Sequence, residues 1–461
     1  MALSRDLKPR PRTTYIDGLR GLLAVFVFNA HLTPIVILGY DSAFGNGHST
    51  LPRNVLDIPL VAACVRHWGL FATPVVKLLY SGSPAVSMFF AISGYVMSLN
   101  WIDHVERRPA NPRRLLTAIS SSIFRRPLRL LLPSMVSMIM PFILCKTGYL
   151  DRTTVQRHGL TSFEPGFRFG LNQYDLFPVR QATWWAQARD LLQNCARLFA
   201  IFAQRSDESF PLRYNPVLWT VKMDLRASLV LLATQMALLE AKRPWRLRFL
   251  VILATLGWSV GSLECPLFWA GWIIAELHHS ADQVSLAQRE DASQPAQKTT
   301  RRGVSSFKKT AVFVLGCYVA SYPTWNPSMA SMFSILRALT PGTVVPPRTW
   351  HSVGVILMLY SLRDVPLARR LCEASTSQLL GRYSFSIYLV HVWISVCAGP
   401  ALFSWVWTLT GNEHVLPFAI GFGVAYTILL IYVLLASVVF RVVVELPLSR
   451  FVDNLYRLAS S

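Results

Sequence analysis

The chain has 461 residues, 52% of them hydrophobic and only 15% charged, with a formal net charge of +21. Apolar runs recur along its whole length, which excludes a string of soluble domains and points to an all-α, polytopic membrane protein. The basic residues cluster in short loops between those runs, as membrane topology requires, so the lipid bilayer and not nucleic acid is the expected partner.

Residues 1–14 carry Arg5, Lys8, Arg10 and Arg12 and read as a cytoplasmic tail; residues 15–455 form the membrane domain. The first span runs from about Leu19 to Leu38 and contains Arg20 and His31, eleven residues apart. Eleven steps of a helix come to about 1100°, so the two side chains share one face about 16 Å apart along the axis. An ionisable residue at membrane depth usually faces a bundle interior or a wet cavity. Residues 39–82 read as loop, with any helix there lying in the interface. Ser83-Pro84 then opens the second span, which continues to about Trp101.

Residues 102–127 are strongly basic, and the third span follows over 128–144. The longest stretch outside the membrane is 146–215, with a possible short helix near 195–203. Spans four (217–239), five (248–262) and six (264–278) precede a polar loop at 279–309, expected to be flexible and cytoplasmic. Spans seven (310–322), eight (350–362), nine (385–409) and ten (415–440) complete the chain. With both termini inside, the basic clusters at 102–127, 241–248, 298–309, 363–382 and 441–457 all face the cytoplasm. The seven cysteines are scattered without metal-ligand or disulfide spacing, so no metal site is expected.

Three sets of polar residues in the spans invite chemistry. His31 is a candidate general base. Asp224, in span four, is too short to snorkel and needs a partner inside the bundle: either His31, whose level is similar, or an arginine. Arg126 and Arg129 flank one helix face at the entry of span three. They serve either as positive-inside anchors or, with Arg20, as a mouth for bidentate phosphate binding. His391 belongs either to the cavity or to packing.

The sequence resembles the acyltransferase-3 family of polytopic membrane acyltransferases, particularly its fungal members. The carrying motifs are Tyr15-Ile-Asp-Gly-Leu-Arg20-Gly with His31, Ala85-Val-Ser-Met-Phe-Phe-Ala-Ile-Ser93-Gly94-Tyr and Arg125-Arg-Pro-Leu-Arg129-Leu-Leu-Leu-Pro133. To these add Leu218-Trp219-Thr-Val-Lys-Met-Asp224-Leu-Arg-Ala-Ser228, Phe268-Trp-Ala-Gly271 with Ala275-Glu276, and Leu380-Gly381-Arg-Tyr-Ser-Phe-Ser386-Ile-Tyr388-Leu-Val-His391. The resemblance implies ten spans and transfer of an acyl group, usually acetyl, from acyl-CoA to a hydroxyl of a small metabolite, lipid or sugar. Acyl-CoA is a co-substrate, and no bound cofactor is expected. Arg20 and His31 match the family's arginine–histidine pair, and Arg126 and Arg129 its R-x-x-R pair; Asp224 stands where the family usually has glutamate. His31 and Asp224 are then the expected catalytic residues, and Arg20, Arg126, Arg129, Trp219 and His391 the expected substrate and CoA contacts. Trp219, Ser93 and Tyr388 are candidate oxyanion donors. The competing function is a transporter in which His31 and Asp224 form an intramembrane proton or anion site; no internal repeat supports it.

Overall fold

The computed structural model describes residues 13–36, 73–106, 112–150, 177–202, 212–290, 298–323, 333–339, 346–412 and 414–460. Among the described residues every regular element is helical. The elements are α1 (Thr14–Val36), α2 (Pro74–Leu78), α3 (Gly82–Glu106), α4 (Pro112–Ser137), α5 (Ile139–Lys146) and α6 (Trp184–Phe199). After a single 3₁₀ turn at Pro216–Leu218 come α7 (Trp219–Ala237), α8 (Arg243–Ser259), α9 (Glu264–Glu290), α10 (Lys298–Ala320) and α11 (Ser334–Ala338). The chain closes with α12 (Pro346–Leu362), α13 (Pro366–Glu373), α14 (Ser375–Thr410), α15 (Val415–Phe440), a π turn at Arg441–Glu445 and α16 (Leu446–Ser460). Among the described residues four stretches are long and apolar enough to cross a membrane: Gly82–Val105, Leu116–Lys146, Ser375–Thr410 and Leu416–Ser460.

The expected third span starts far earlier than residue 128, because the helix already runs through the basic segment from Pro112. The short helix expected near 195–203 lies at Trp184–Phe199, where the Thr183 hydroxyl caps it by accepting from the Ala186 N–H at 3.1 Å. Residues 279–290 and 298–309, expected as flexible loop, continue α9 and α10, while 291–297 lie outside the described residues. Their polar side chains are used: Arg363 bonds Asp282 at 3.2 Å, and Lys309 sits 3.3 Å from the centre of the Tyr360 ring. The basic tail and most of the 39–82 loop also lie outside the described residues.

Helix α1 packs along α14, and the two run parallel: Gly18 and Gly21 meet the segment from Cys372 to Gly381, and His31 meets His391. A Cβ on Gly381 would collide with the backbone carbonyl of Asp17, so only glycine permits this approach. Past that crossing Ala24, Phe28 and Leu32 of α1 interlock with Ile387 and Phe403 of α14 and with Ala425 and Leu429 of α15. The chain leaves α14 through Gly411 at φ +83°, a left-handed position that glycine adopts without a Cβ clash. Helices α4 and α7 run antiparallel, since Arg126 bonds Ser228 while, eleven residues on, Ser137 bonds Asn215.

A second core joins α1, α3, α9 and α12. Within it Arg246 and Glu276 form an ion pair, Nη2 to Oε1 at 2.6 Å, with side chains only 6% and 1% exposed. The Trp272 Nε1–H donates to the same carboxylate oxygen, and the Arg246 guanidinium lies 5.0 Å over the Trp101 ring. Glu276 is thereby accounted for as a buried charge held by its partners.

Candidate functional site

His31 follows Phe28 by one turn on the face of α1 that packs toward α14, yet its own side chain is exposed. Its ring centre lies 5.2 Å from that of His391, which is fully buried. The Nδ1 of His391 faces two backbone carbonyls, Tyr388 O at 2.9 Å and Ile387 O at 3.1 Å. A carbonyl only accepts, so this nitrogen carries the proton and Nε2 is left as a bare lone pair. Among the described residues that Nε2 has no hydrogen-bond partner. A buried acceptor without a donor costs roughly 1–3 kcal/mol, which marks the position as one where a donor is wanted.

The wall beside this pair is polar and fixed. Tyr388, its ring 5.8 Å from that of His391, donates to Val217 O at 2.7 Å and lies 2.5 Å from Thr220 Oγ1. Its hydroxyl is thus committed to the turn that starts α7, which removes it as a free oxyanion donor. Asn215, fully buried, donates through Nδ2 to Leu389 O at 3.0 Å and to Ser137 Oγ at 2.9 Å. Its Oδ1 has no partner among the described residues, a second orphan acceptor near the histidines. Trp219 stands at the start of α7, 45% exposed. Asn215 was legible only as the residue before Pro216; nothing in its spacing announces a buried amide.

Asp224 does not join His31. Its Oδ2 accepts from Arg126 Nη2 at 2.9 Å, while Arg126 Nε donates to Ser228 Oγ at 2.6 Å. One guanidinium thus spans two residues a single turn apart on α7, and the arginine partner prevails over the histidine. The reason is depth as well as charge. Asp224 lies nine residues beyond Asn215, about 13 Å along the helix, which takes it well below the level of His391. The expected pairing of Arg126 with Arg129 on one face is also split. Arg129 donates from Nη2 to Asp453 Oδ1 at 2.6 Å, and Arg125 donates to the same oxygen at 3.1 Å. Arg125 also lies 4.4 Å over the Tyr456 ring, so α16 is fastened to α4 by two arginines on one carboxylate. Arg20, half-buried, has no ion-pair partner among the described residues.

The arrangement has two stations. One is an accessible imidazole next to a buried imidazole acceptor. The other is made of guanidiniums: Arg20 near the start of α1, with the Asp17 carboxylate acting on it electrostatically, and Arg125 and Arg129 on α4, which share a single carboxylate. An imidazole with an oriented neighbour moves protons; guanidiniums in surplus over carboxylates bind anions.

Comparison with known proteins gives a consistent answer. The family described as an acyltransferase domain matches residues 13–442. Acyltransferase clz18 of Cochliobolus lunatus is 59% identical over 455 residues, covering 98% of this chain and 97% of the relative. Acyltransferase R4 of a Phoma species is 58% identical over 460 residues, covering 98% of each chain. The O-acetyltransferase PaAT-1 of Phomopsis amygdali is 26% identical over 413 residues, covering 84% of this chain and 73% of the relative. No solved structure matches.

Proposed function

The chain belongs to the acyltransferase-3 family, and from that premise we propose that it is a multi-pass membrane O-acyltransferase that moves an acyl group, acetyl in the simplest case, from acyl-CoA to an acceptor hydroxyl. The observation that carries this reading is the approach of exposed His31 to the bare Nε2 of buried His391. In the working complex one N–H of His31 donates to His391 Nε2, which fixes the tautomer and leaves the other His31 nitrogen to take the acceptor's proton. His391 is then the orienting group, the task first expected of Asp224. The similarity to an O-acetyltransferase supports a hydroxyl acceptor and an acetyl donor.

Acyl-CoA enters as co-substrate from the side where α1 begins. Arg20 is the first phosphate contact, and the Arg125–Arg129 pair adds the charge that Asp453 alone does not neutralise. Asp224 holds Arg126 in place and contributes to the site by position. The ten spans with both termini cytoplasmic, implied by the basic clusters, put this mouth on the cytoplasmic face.

The test is turnover of labelled acetyl-CoA with hydroxylated acceptors by the purified chain. His31→Ala is expected to lose about 10²–10⁴ of the rate while still binding acyl-CoA. Full turnover in a properly inserted His31→Ala protein overturns the assignment of the base.

A further inference from the structure

Ser83 and His351 form a second hydrogen-bonded nucleophile–base pair, on helices α3 and α12. Ser83 lies in the first turn of α3 and is partly exposed; its Oγ is 2.9 Å from His351 Nδ1. His351, on α12, is fully buried, and its Nε2 lies 2.8 Å from the backbone carbonyl of Tyr322, just past α10. The carbonyl can only accept, so Nε2 carries a proton. Among the described residues no carboxylate bonds this ring, and a charged imidazolium is disfavoured at full burial, so the ring is neutral and Nδ1 is the acceptor. The serine therefore points its own proton at a bare imidazole nitrogen, and a fixed carbonyl holds that imidazole from behind. These are the roles of a serine nucleophile, its base and the group orienting the base.

Two further features suit this pair to an acyl group. The N–H groups of Gly82 and Ser83 sit in the first turn of a helix, where no intrahelical carbonyl reaches them and developing negative charge is favoured. A Cβ built on Gly82 would come 3.2 Å from the Ala30 methyl, so Ser83 stands at the same depth as His31. A flexible thioester arm long enough for one is long enough for the other.

We propose that Ser83 is a second acyl-accepting centre, taking an acyl group from a thioester as a serine ester. The Ser83 Oγ attacks the thioester carbonyl carbon, its proton passes to His351 Nδ1, the C–S bond breaks, and His351 returns that proton to the departing thiolate. Discharge runs the same path: a hydroxyl donates its proton to His351 Nδ1 as its oxygen takes the acyl carbon, and Ser83 leaves with the proton from His351. The thioester donor rests on the function proposed above; the nucleophilic serine does not.

The experiment separates the two. Full-length protein in detergent is treated with a fluorophosphonate, which needs no CoA site, and separately with labelled acetyl-CoA followed by acid quench and peptide mass spectrometry. The expected result is phosphonylation of the Ser83 peptide, absent in Ser83→Ala and slowed at least about 100-fold in His351→Gln, together with acetyl on the same serine. Ser83→Cys, which keeps size and nucleophile, is expected to trap acetyl as a thioester and so guards against misfolding of Ser83→Ala. Phosphonylation of Ser83 without any acetyl-CoA turnover keeps the nucleophile and removes the donor. Turnover of acetyl-CoA with Ser83 neither phosphonylated nor acetylated overturns the proposal and leaves the His31 centre standing.

Discussion

Asp224 shows how far a single residue can be read from sequence. Its presence at membrane depth demanded a partner, and both candidates, a histidine and an arginine, were visible. The choice was not, because Arg126 lies 98 positions away and only the antiparallel packing of α4 on α7 sets their levels. His31 and Arg20 were legible because helical spacing within one element fixes their shared face. His391 is 360 residues from His31, and its Nε2 is bare because the Ile387 and Tyr388 carbonyls accept from Nδ1. The arginine assignment has a direct consequence. Arg126→Ala and Asp224→Asn are expected to be non-additive in thermal stability, with a coupling of about 0.5–3 kcal/mol, as for residues in contact. Asp224→Asn and His31→Ala are expected to be additive in turnover. Coupling of Asp224 to His31 and not to Arg126 would return the aspartate to the base.

Elements were legible where hydropathy alone decides them, and misjudged where a helix outruns its apolar stretch. The polar ends of α9 and α10 read as loop by composition, but a helix leaving an apolar layer keeps its backbone bonds and finds side-chain partners, here Asp282 with Arg363 and Lys309 with Tyr360. Close helix packing makes a sharper statement. Gly381→Ala places a methyl against the Asp17 carbonyl between α1 and α14, whereas Gly423→Ala meets nothing within 4 Å. The first is expected to lower the melting temperature and activity together, by overpacking of about 1–3 kcal/mol; the second to be neutral or slightly stabilising through helix propensity. Equal melting temperatures for the two variants would show that the α1–α14 contact yields freely. The clasp of α16 on α4 bears on the donor. Asp453→Asn keeps the shape but frees Arg125 and Arg129 from their carboxylate, and is expected to tighten acyl-CoA binding. Arg129→Lys keeps the charge but loses the planar fork, and is expected to weaken binding about tenfold or more, at roughly 1.5–3 kcal/mol for a charge-assisted bond. Titration of purified protein decides: unchanged affinity in both variants would make these arginines membrane anchors.

At the scale of the molecule, polar contacts gather at two levels that alternate along the chain. One holds Tyr15 with Tyr95, Tyr95 with His278, and Arg363 with Asp282. The other holds Asn29 with the Leu79 carbonyl, Ser83 with His351, and His351 with the Tyr322 carbonyl. Residues early in α1, past the middle of α3, late in α12 and at the middle of α10 share the first level; the opposite ends of those helices share the second. Such alternation is what successive crossings of a layer produce. The first level is also the one from which Arg20, Arg363 and Lys309 project, so by the positive-inside rule it is the level expected to face the cytoplasm. Both termini and residues 291–297 are then expected on the cytoplasmic side, with residues 151–176 on the other. Arg5→Cys, Ser293→Cys and Ser162→Cys test this with an impermeant maleimide on sealed vesicles of known orientation, each in a chain whose seven native cysteines have been replaced. Positions 5 and 293 are expected to label from the cytoplasmic face and position 162 only from the opposite one. Labelling of 293 from the same face as 162 would break the alternation between α9 and α10, and with it the proposed entry of acyl-CoA from the cytoplasmic side.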